Sequence, residues 1–173
     1  ADGTPALVSL RGVSKRYGDL LANDGVDLAL APGEIVALLG ENGAGKTTLM
    51  NMLFGHYLPD AGSVRAAGPD GALRDLPLGQ PQAALQAGVG MVHQHFTLAE
   101  NLTGFQNVIL GEERLFSLGR GRRAARTKLE RLMAETGLSA PLDEPVARLS
   151  VGERQRIEIL KALHRDARIL ILD

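Results

Sequence analysis

Nine consecutive residues carry the chemistry most easily read from this chain: Gly40, Glu41, Asn42, Gly43, Ala44, Gly45, Lys46, Thr47 and Thr48. They fit the pattern G-x-x-x-x-G-K-[S/T], a loop that wraps nucleotide phosphates. Glycine lets backbone N–H groups turn inward around phosphate oxygens, where a Cβ would block the approach. A helix opening directly after the loop adds unpaired amide donors and a positive dipole end. Lys46 brings a full charge, worth about 4 kcal/mol against one phosphate charge at about 4 Å and an effective dielectric of roughly 20. Thr47 offers a hydroxyl to Mg²⁺. The whole loop is therefore a candidate nucleotide site: Gly40, Asn42, Gly43, Gly45, Lys46, Thr47 and Thr48.

Such a loop needs a strand before it and a helix after it. Residues 35–39 (Ile35, Val36, Ala37, Leu38, Leu39) form an unbroken apolar run, as expected of a strand buried on both faces. Residues 48–54 read as a helix stopped by Gly55. Upstream, 7–13 and 26–30 have the patterning of half-buried antiparallel strands. Downstream, 63–67 reads as a short strand and 81–86 as a short helix stopped by Gly88. Residues 89–93 read as another buried strand. From about Leu98 onward the pattern turns helical, with Asn101, Leu102 and Thr103 opening one helix and 122–135 forming another. A last helix is expected over 151–164, with Ile157, Leu160 and Leu163 lining one face.

Several further residues are placed where chemistry is done. Asp173 ends the apolar run 169–172, a position suited to a carboxylate that binds Mg²⁺ through water. Strand-end aspartates also serve plain turn chemistry. Gln94 follows the strand 89–93, and the carboxyl end of a strand in an open α/β sheet points into the ligand crevice. It would reach Mg²⁺ or an attacking water, or be an ordinary loop glutamine. Ser150, with Glu153 three residues on, makes a capping box. The same hydroxyl with the bare backbone of Gly152 and a helix dipole end makes an anion site. Sequence rules leave both readings open. Tyr17, in a chain with 3% aromatics, is either a stacking platform for an adenine ring or a partly buried structural residue. His93 and His95 flank Gln94, and no metal pair is expected of them. The basic residues Arg120, Arg122, Arg123, Arg126, Lys128 and Arg131 are expected on a solvated helix face.

Composition narrows the class. The chain has 173 residues, enough for one domain with a real core. Nineteen basic residues against twenty acidic ones give a net charge of −1, so no nucleic-acid partner is expected. No run of eighteen apolar residues exists to span a membrane. The first apolar stretch, 6–10, is too short for a signal peptide and lacks a basic leader. The absence of cysteine rules out disulfides and fits a cytosolic setting. A start at Ala1 and a stop directly after a buried-strand pattern are expected of a piece of a longer protein.

Taken together, these motifs resemble those of the ATP-binding subunits of ABC transporters, in family order along the whole chain. The segments 91–96 and 149–156 are most similar to importers of simple sugars and nucleosides, in which two ATPase units are usually fused; this would be the first unit. The resemblance implies an α/β fold with a P-loop NTPase core of mostly parallel sheet, an N-terminal antiparallel β subdomain and a helical insertion, the C-terminal strands missing. It implies one ATP-binding domain over 1–173: a nucleotide core at about 1–97 and 165–173, and a helical and signature region at about 98–164. Tyr17 would stack on adenine. Gly43, Gly45, Lys46, Thr47 and Thr48 would hold the phosphates, while Thr47, Gln94 and Asp173 would serve Mg²⁺. Ser150 and Gly152 would close over the γ-phosphate of ATP bound by a second ATPase unit. The helical insertion would dock on a membrane-embedded permease, at the cytoplasmic face of the membrane, with an extracytoplasmic solute-binding protein involved indirectly.

Two departures from the family pattern stand out. The signature commonly reads L-S-G-G-Q, whereas Val151 and Glu153 occupy two of its positions here. The glutamate and switch histidine that follow the Asp173 position in relatives lie outside this sequence. Alternatives are a soluble ABC ATPase acting in DNA repair or on ribosomes, a nucleotide-binding fragment without turnover, and a small-molecule kinase. Near-neutral charge weighs against the first, and the signature segment against the last.

Overall fold

The computed structural model describes residues 6–68, 70–93, 97–111 and 120–173. The chain divides into two compact units, residues 1–89 and 90–173.

The first unit is built on an antiparallel sheet. Strands β1 (Val8–Tyr17) and β2 (Leu20–Leu30) form a hairpin, with Val8 opposite Leu30 and Tyr17 opposite Leu20. β3 (Ala61–Ala67) pairs with the other edge of β1, and the short β4 (Leu73–Asp75) with β3, giving the order β2-β1-β3-β4. Val8, Leu10, Val13, Val64 and Ala66 are buried. That is the half-buried, antiparallel pattern expected from the alternation at 7–13 and 26–30. Helix α1 (Lys46–Phe54) buries Leu49, Met52, Leu53 and Phe54, and Gly55 ends it in the left-handed conformation. Helix α2 (Pro81–Gln86) has proline in its first turn, where the missing N–H costs nothing.

One expected element differs. Residues 35–39 adopt no strand, and Ile35 and Leu39 are 96% and 92% exposed. An apolar run buried on both faces needs a hydrogen-bonded neighbour at each edge, and no described strand pairs with this one. Apolar character alone could not reveal which partner strand the segment requires.

In the second unit, β5 (Val89–Val92) and β6 (Ile169–Leu172) form a two-stranded sheet. The Asp173 N–H donates to the Val92 carbonyl at 3.1 Å, so the carboxyl ends of both strands lie side by side, as in a parallel pair. The crossover runs through α3 (Gly104–Ile109), α4 (Arg120–Thr136), a 3₁₀ turn at Val146–Arg148 and α5 (Val151–His164). Parallel strands require such a long connection. Phe105, Val108, Ile109, Leu129, Leu142, Val146, Ile157 and Leu160 form its core. Along α5, Ile157 and Leu160 are buried as expected, but His164 takes the next buried position and Leu163 is half-buried.

The basic face of α4 does more than face water. Arg126 binds Asp143 through two hydrogen bonds of 2.6 and 2.8 Å and Glu130 at 3.0 Å. Its guanidinium also lies 5.4 Å from the Phe105 ring centre. Lys128 reaches the His164 carbonyl at 2.6 Å and Asp166 at 2.8 Å. These side chains tie α4 to its neighbours, whereas Arg123 is exposed as expected.

Candidate nucleotide site

The loop before α1 is shaped by glycines and by what β2 presses against them. Gly43 and Gly45 have φ of +86° and +83°, a region that side-chain-bearing residues rarely enter. A Cβ on Gly45 would lie 2.2 Å from the Ala22 carbonyl oxygen and 2.9 Å from Asn23 Nδ2. Only glycine fits there. Asn23, buried on β2, donates Nδ2 to the Gly45 carbonyl at 3.3 Å, and its Oδ1 is buried without a hydrogen-bond partner.

Lys46 folds back over its own loop. Its Nζ donates to the carbonyls of Gly40 and Glu41, each at 2.8 Å, which spends two of the three ammonium donors. Gly45 caps α1 without a side-chain bond, and the first turn holds no acidic residue. The positive end of the helix is thus left uncompensated, a setting that favours an anion. Asn42 and Thr47 are exposed, and Thr48 is half-buried.

Tyr17 ends β1 and is 44% exposed. Tyr57 meets it edge-to-face, with ring centres 6.4 Å apart and planes at 82°. The Lys15 ammonium lies 5.4 Å from the Tyr17 ring centre and is anchored on Asp60 at 3.0 Å. Asp60 also accepts the Arg16 N–H at 2.7 Å. That backbone bond, with Lys15, holds the Asp60 carboxyl below its ordinary value. The tyrosine therefore stands exposed at a braced strand end.

In the second unit, Ser150 caps α5, and the capping box is formed. Glu153 Oε2 accepts from the Ser150 N–H at 2.8 Å and from its hydroxyl at 2.7 Å, while the Glu153 N–H donates to Ser150 Oγ at 3.4 Å. The hydroxyl bond, followed by the backbone bond, lowers the Glu153 carboxyl from its ordinary value. Gly152 is exposed, and a Cβ there would meet nothing within 4 Å. No contact within this chain calls for glycine at that point. Asp173 stands at the carboxyl end of β6, exposed. Gln94 and His95 lie outside the described residues.

Some supporting residues were not singled out from sequence. Asn23 and Asn51 are buried amides that brace the loop and α1, and Tyr57 supports Tyr17. A signal existed for Asn51: a poor helix former four residues after Thr47 shares its face of α1.

In the first unit the main-chain amides, ammonium and dipole end of the loop suit the phosphate oxygens of a nucleotide. The Thr47 hydroxyl there, and separately the Asp173 carboxylate of the second unit, are oxygens of the kind that suit Mg²⁺. The described residues contain no group of three or more His, Cys, Asp or Glu that could cage a metal alone.

Comparison with known proteins decides the family. The family model described as ABC transporter matches residues 23–173. The chain belongs to the ABC transporter family. Among relatives of this ABC transporter chain, the nucleoside import ATP-binding protein NupA of Lactococcus lactis subsp. cremoris is 45% identical over 167 residues. The guanosine import ATP-binding protein NupO of Bacillus subtilis is 42% identical, and the ribose import ATP-binding protein RbsA 1 of Burkholderia thailandensis 44%. Each alignment takes in 96% of this chain but 32% of the relative, so the chain spans about a third of their length. A nucleotide-free ATP-binding cassette from an ABC transporter superposes with a TM-score of 0.79 at 22% identity, over 97% of this chain and 68% of the other. The ADP conformation of the cassette MJ1267 gives the same score over 96% and 68%. At these identities the likeness concerns the fold, and it is the α/β cassette fold expected from the motifs.

Proposed function

We propose that this chain is part of an ATP-binding and ATP-hydrolysing subunit that powers import of a sugar or nucleoside through a membrane permease. The observation that carries the reading is the loop at Gly40–Thr48, with Gly45 pressed on β2 and Lys46 closing over it. The import names of its relatives supply the solute class. Among the described residues no helix is long and apolar enough to cross a membrane. The site of action is the cytoplasmic face of the membrane, with a second ATPase unit and a permease as partners and a solute-binding protein acting through the permease.

The reaction is attack of water on the γ-phosphorus of ATP. A bond forms from the water oxygen to phosphorus, the bond to the bridging oxygen breaks, and ADP and inorganic phosphate result. Tyr17 holds the adenine. The amides of Gly43, Gly45, Lys46 and Thr48 hold the phosphate oxygens in line, and the Lys46 charge stabilises the developing negative charge. Thr47, Gln94 and Asp173 would hold Mg²⁺, which when bound would supply positive charge against the phosphate oxygens. Ser150 and Gly152 complete the site from the facing unit through the α5 dipole end. In the full-length protein, Lys46→Ala should abolish phosphate release. Turnover at the wild-type rate in that variant would remove the mechanism.

A second reading, nucleotide binding without turnover, applies to the 173 residues alone. The exposed apolar run at 35–39, directly before the loop, favours it. Phosphate-release assays beside equilibrium ATP binding separate the two.

A further inference from the structure

Glu158 sits in the middle of α5 and is 6% exposed. Burying a carboxylate is costly unless it is hydrogen-bonded. Its Oε1 accepts the Thr97 N–H at 2.7 Å and the Thr97 hydroxyl at 2.9 Å, across 61 positions of sequence. Neither bond serves α5 itself, whose first turn is capped by Ser150. The carboxylate fixes a different segment.

That segment is fastened along its whole length. Asn107, fully buried on α3, accepts the Ala99 N–H at 2.8 Å and donates to the carbonyls of Ala99, Leu102 and Thr103 at 3.0, 3.4 and 3.1 Å. Glu100 receives Arg154 of α5 at 3.3 Å, and its carbonyl takes the Ala147 N–H at 3.0 Å. The Leu102 carbonyl takes the Val146 N–H at 2.9 Å. Residues 97–103 are thus bolted to α3 and α5. Thr97 stands three positions after Gln94 in the sequence.

We propose that Glu158 is a positioning residue for phosphoryl transfer: it fixes Thr97, which follows Gln94 by three positions in the sequence, to the helix that carries Ser150 and Gly152. The inference rests on the ATPase reading above. Glu158 touches neither nucleotide nor attacking water; it acts through Thr97. A glutamine at this position keeps the oxygen that accepts from Thr97.

The test uses the full-length protein with Glu158→Ala, Glu158→Gln and Thr97→Val, read by amide hydrogen exchange and by steady-state kinetics. In Glu158→Ala, exchange over 97–103 should quicken about tenfold, the loss expected for bonds to a buried charged acceptor. Its kcat should fall about tenfold with KM for ATP held within about twofold, because the phosphate loop is untouched. Glu158→Gln should recover both, and Thr97→Val should fall between. Faster exchange with wild-type kcat would reduce Glu158 to a purely structural role and overturn the proposal. Failure of glutamine to rescue would do the same. Should Glu158→Ala not fold, Thr97→Val decides, and wild-type behaviour in both readouts overturns the latch. Absence of turnover in the wild-type full chain would instead overturn the ATPase reading, and the positioning role with it.

Discussion

Asn51 Nδ2 donates to the Thr47 carbonyl at 2.8 Å, one turn back along the same side of α1. The carbonyl of Asn51 accepts the N–H groups of His56 and Tyr57 at 2.8 and 3.2 Å, and its Oδ1 accepts from His56 Nδ1 at 2.9 Å. One amide therefore joins the first turn of α1 to the loop that carries Tyr57. The phosphate end and the aromatic end of the site are braced through a single side chain.

Asn51→Ala removes both polar atoms and with them the two side-chain hydrogen bonds to Thr47 and His56. Stability should drop by about 1–2 kcal/mol, the net worth of two such bonds. Thermal denaturation should show a lower midpoint, and a midpoint unchanged from wild type would refute the bracing role.

Gly152 has no neighbour within this chain that a Cβ would touch. Gly152→Ala should leave the fold intact and stabilise α5 by up to about 1 kcal/mol, since alanine is the better helix former. Turnover by paired ATPase units should nevertheless fall under the proposed function, in which a facing unit approaches that backbone. A variant both more stable and fully active would argue against an approach at that point.

The capping box makes the start of α5 sensitive to acid. Glu153 has a depressed carboxyl pKa in the fold. Its contribution is thus fully present above the ordinary value of 4.5 and is lost as pH falls through the lower folded value. The group is exposed, so the effect is small. A nuclear magnetic resonance titration should find the Glu153 midpoint below that of an unstructured peptide, with fraying of Ser150 on the same curve. In Ser150→Ala the Glu153 midpoint should rise, and an unmoved midpoint would contradict the assigned cause.

Where a local signal was self-sufficient, the sequence reading held. Helix α5 begins at Val151 because Ser150 and Glu153 satisfy its first amides, and α2 spans Pro81–Gln86 because proline opens it and Gly88 follows it. The helix after the Gly40–Thr48 loop was legible for the same reason, since Gly55 stops it. Residues 35–39 failed because a strand is a property of its neighbours. Asn23, Asn51 and Glu158 escaped because their partners, Gly45, Thr47 and Thr97, become evident only once the chain is folded. For the same reason the basic face of α4 could not be divided by sequence into exposed Arg123 and cross-linking Arg126 and Lys128.

The account rests on amides between Gly40 and Thr48 curling around a triphosphate, which Gly45 alone permits beside Ala22. Calorimetric titration of the full-length protein with Mg·ATP, wild type against Gly45→Ala, tests this most directly. Binding heat should appear for wild type and weaken at least about hundredfold in affinity for the variant, the cost of losing several charge-assisted phosphate contacts. Equal affinity in the two proteins, or no heat from the folded wild type, would contradict it.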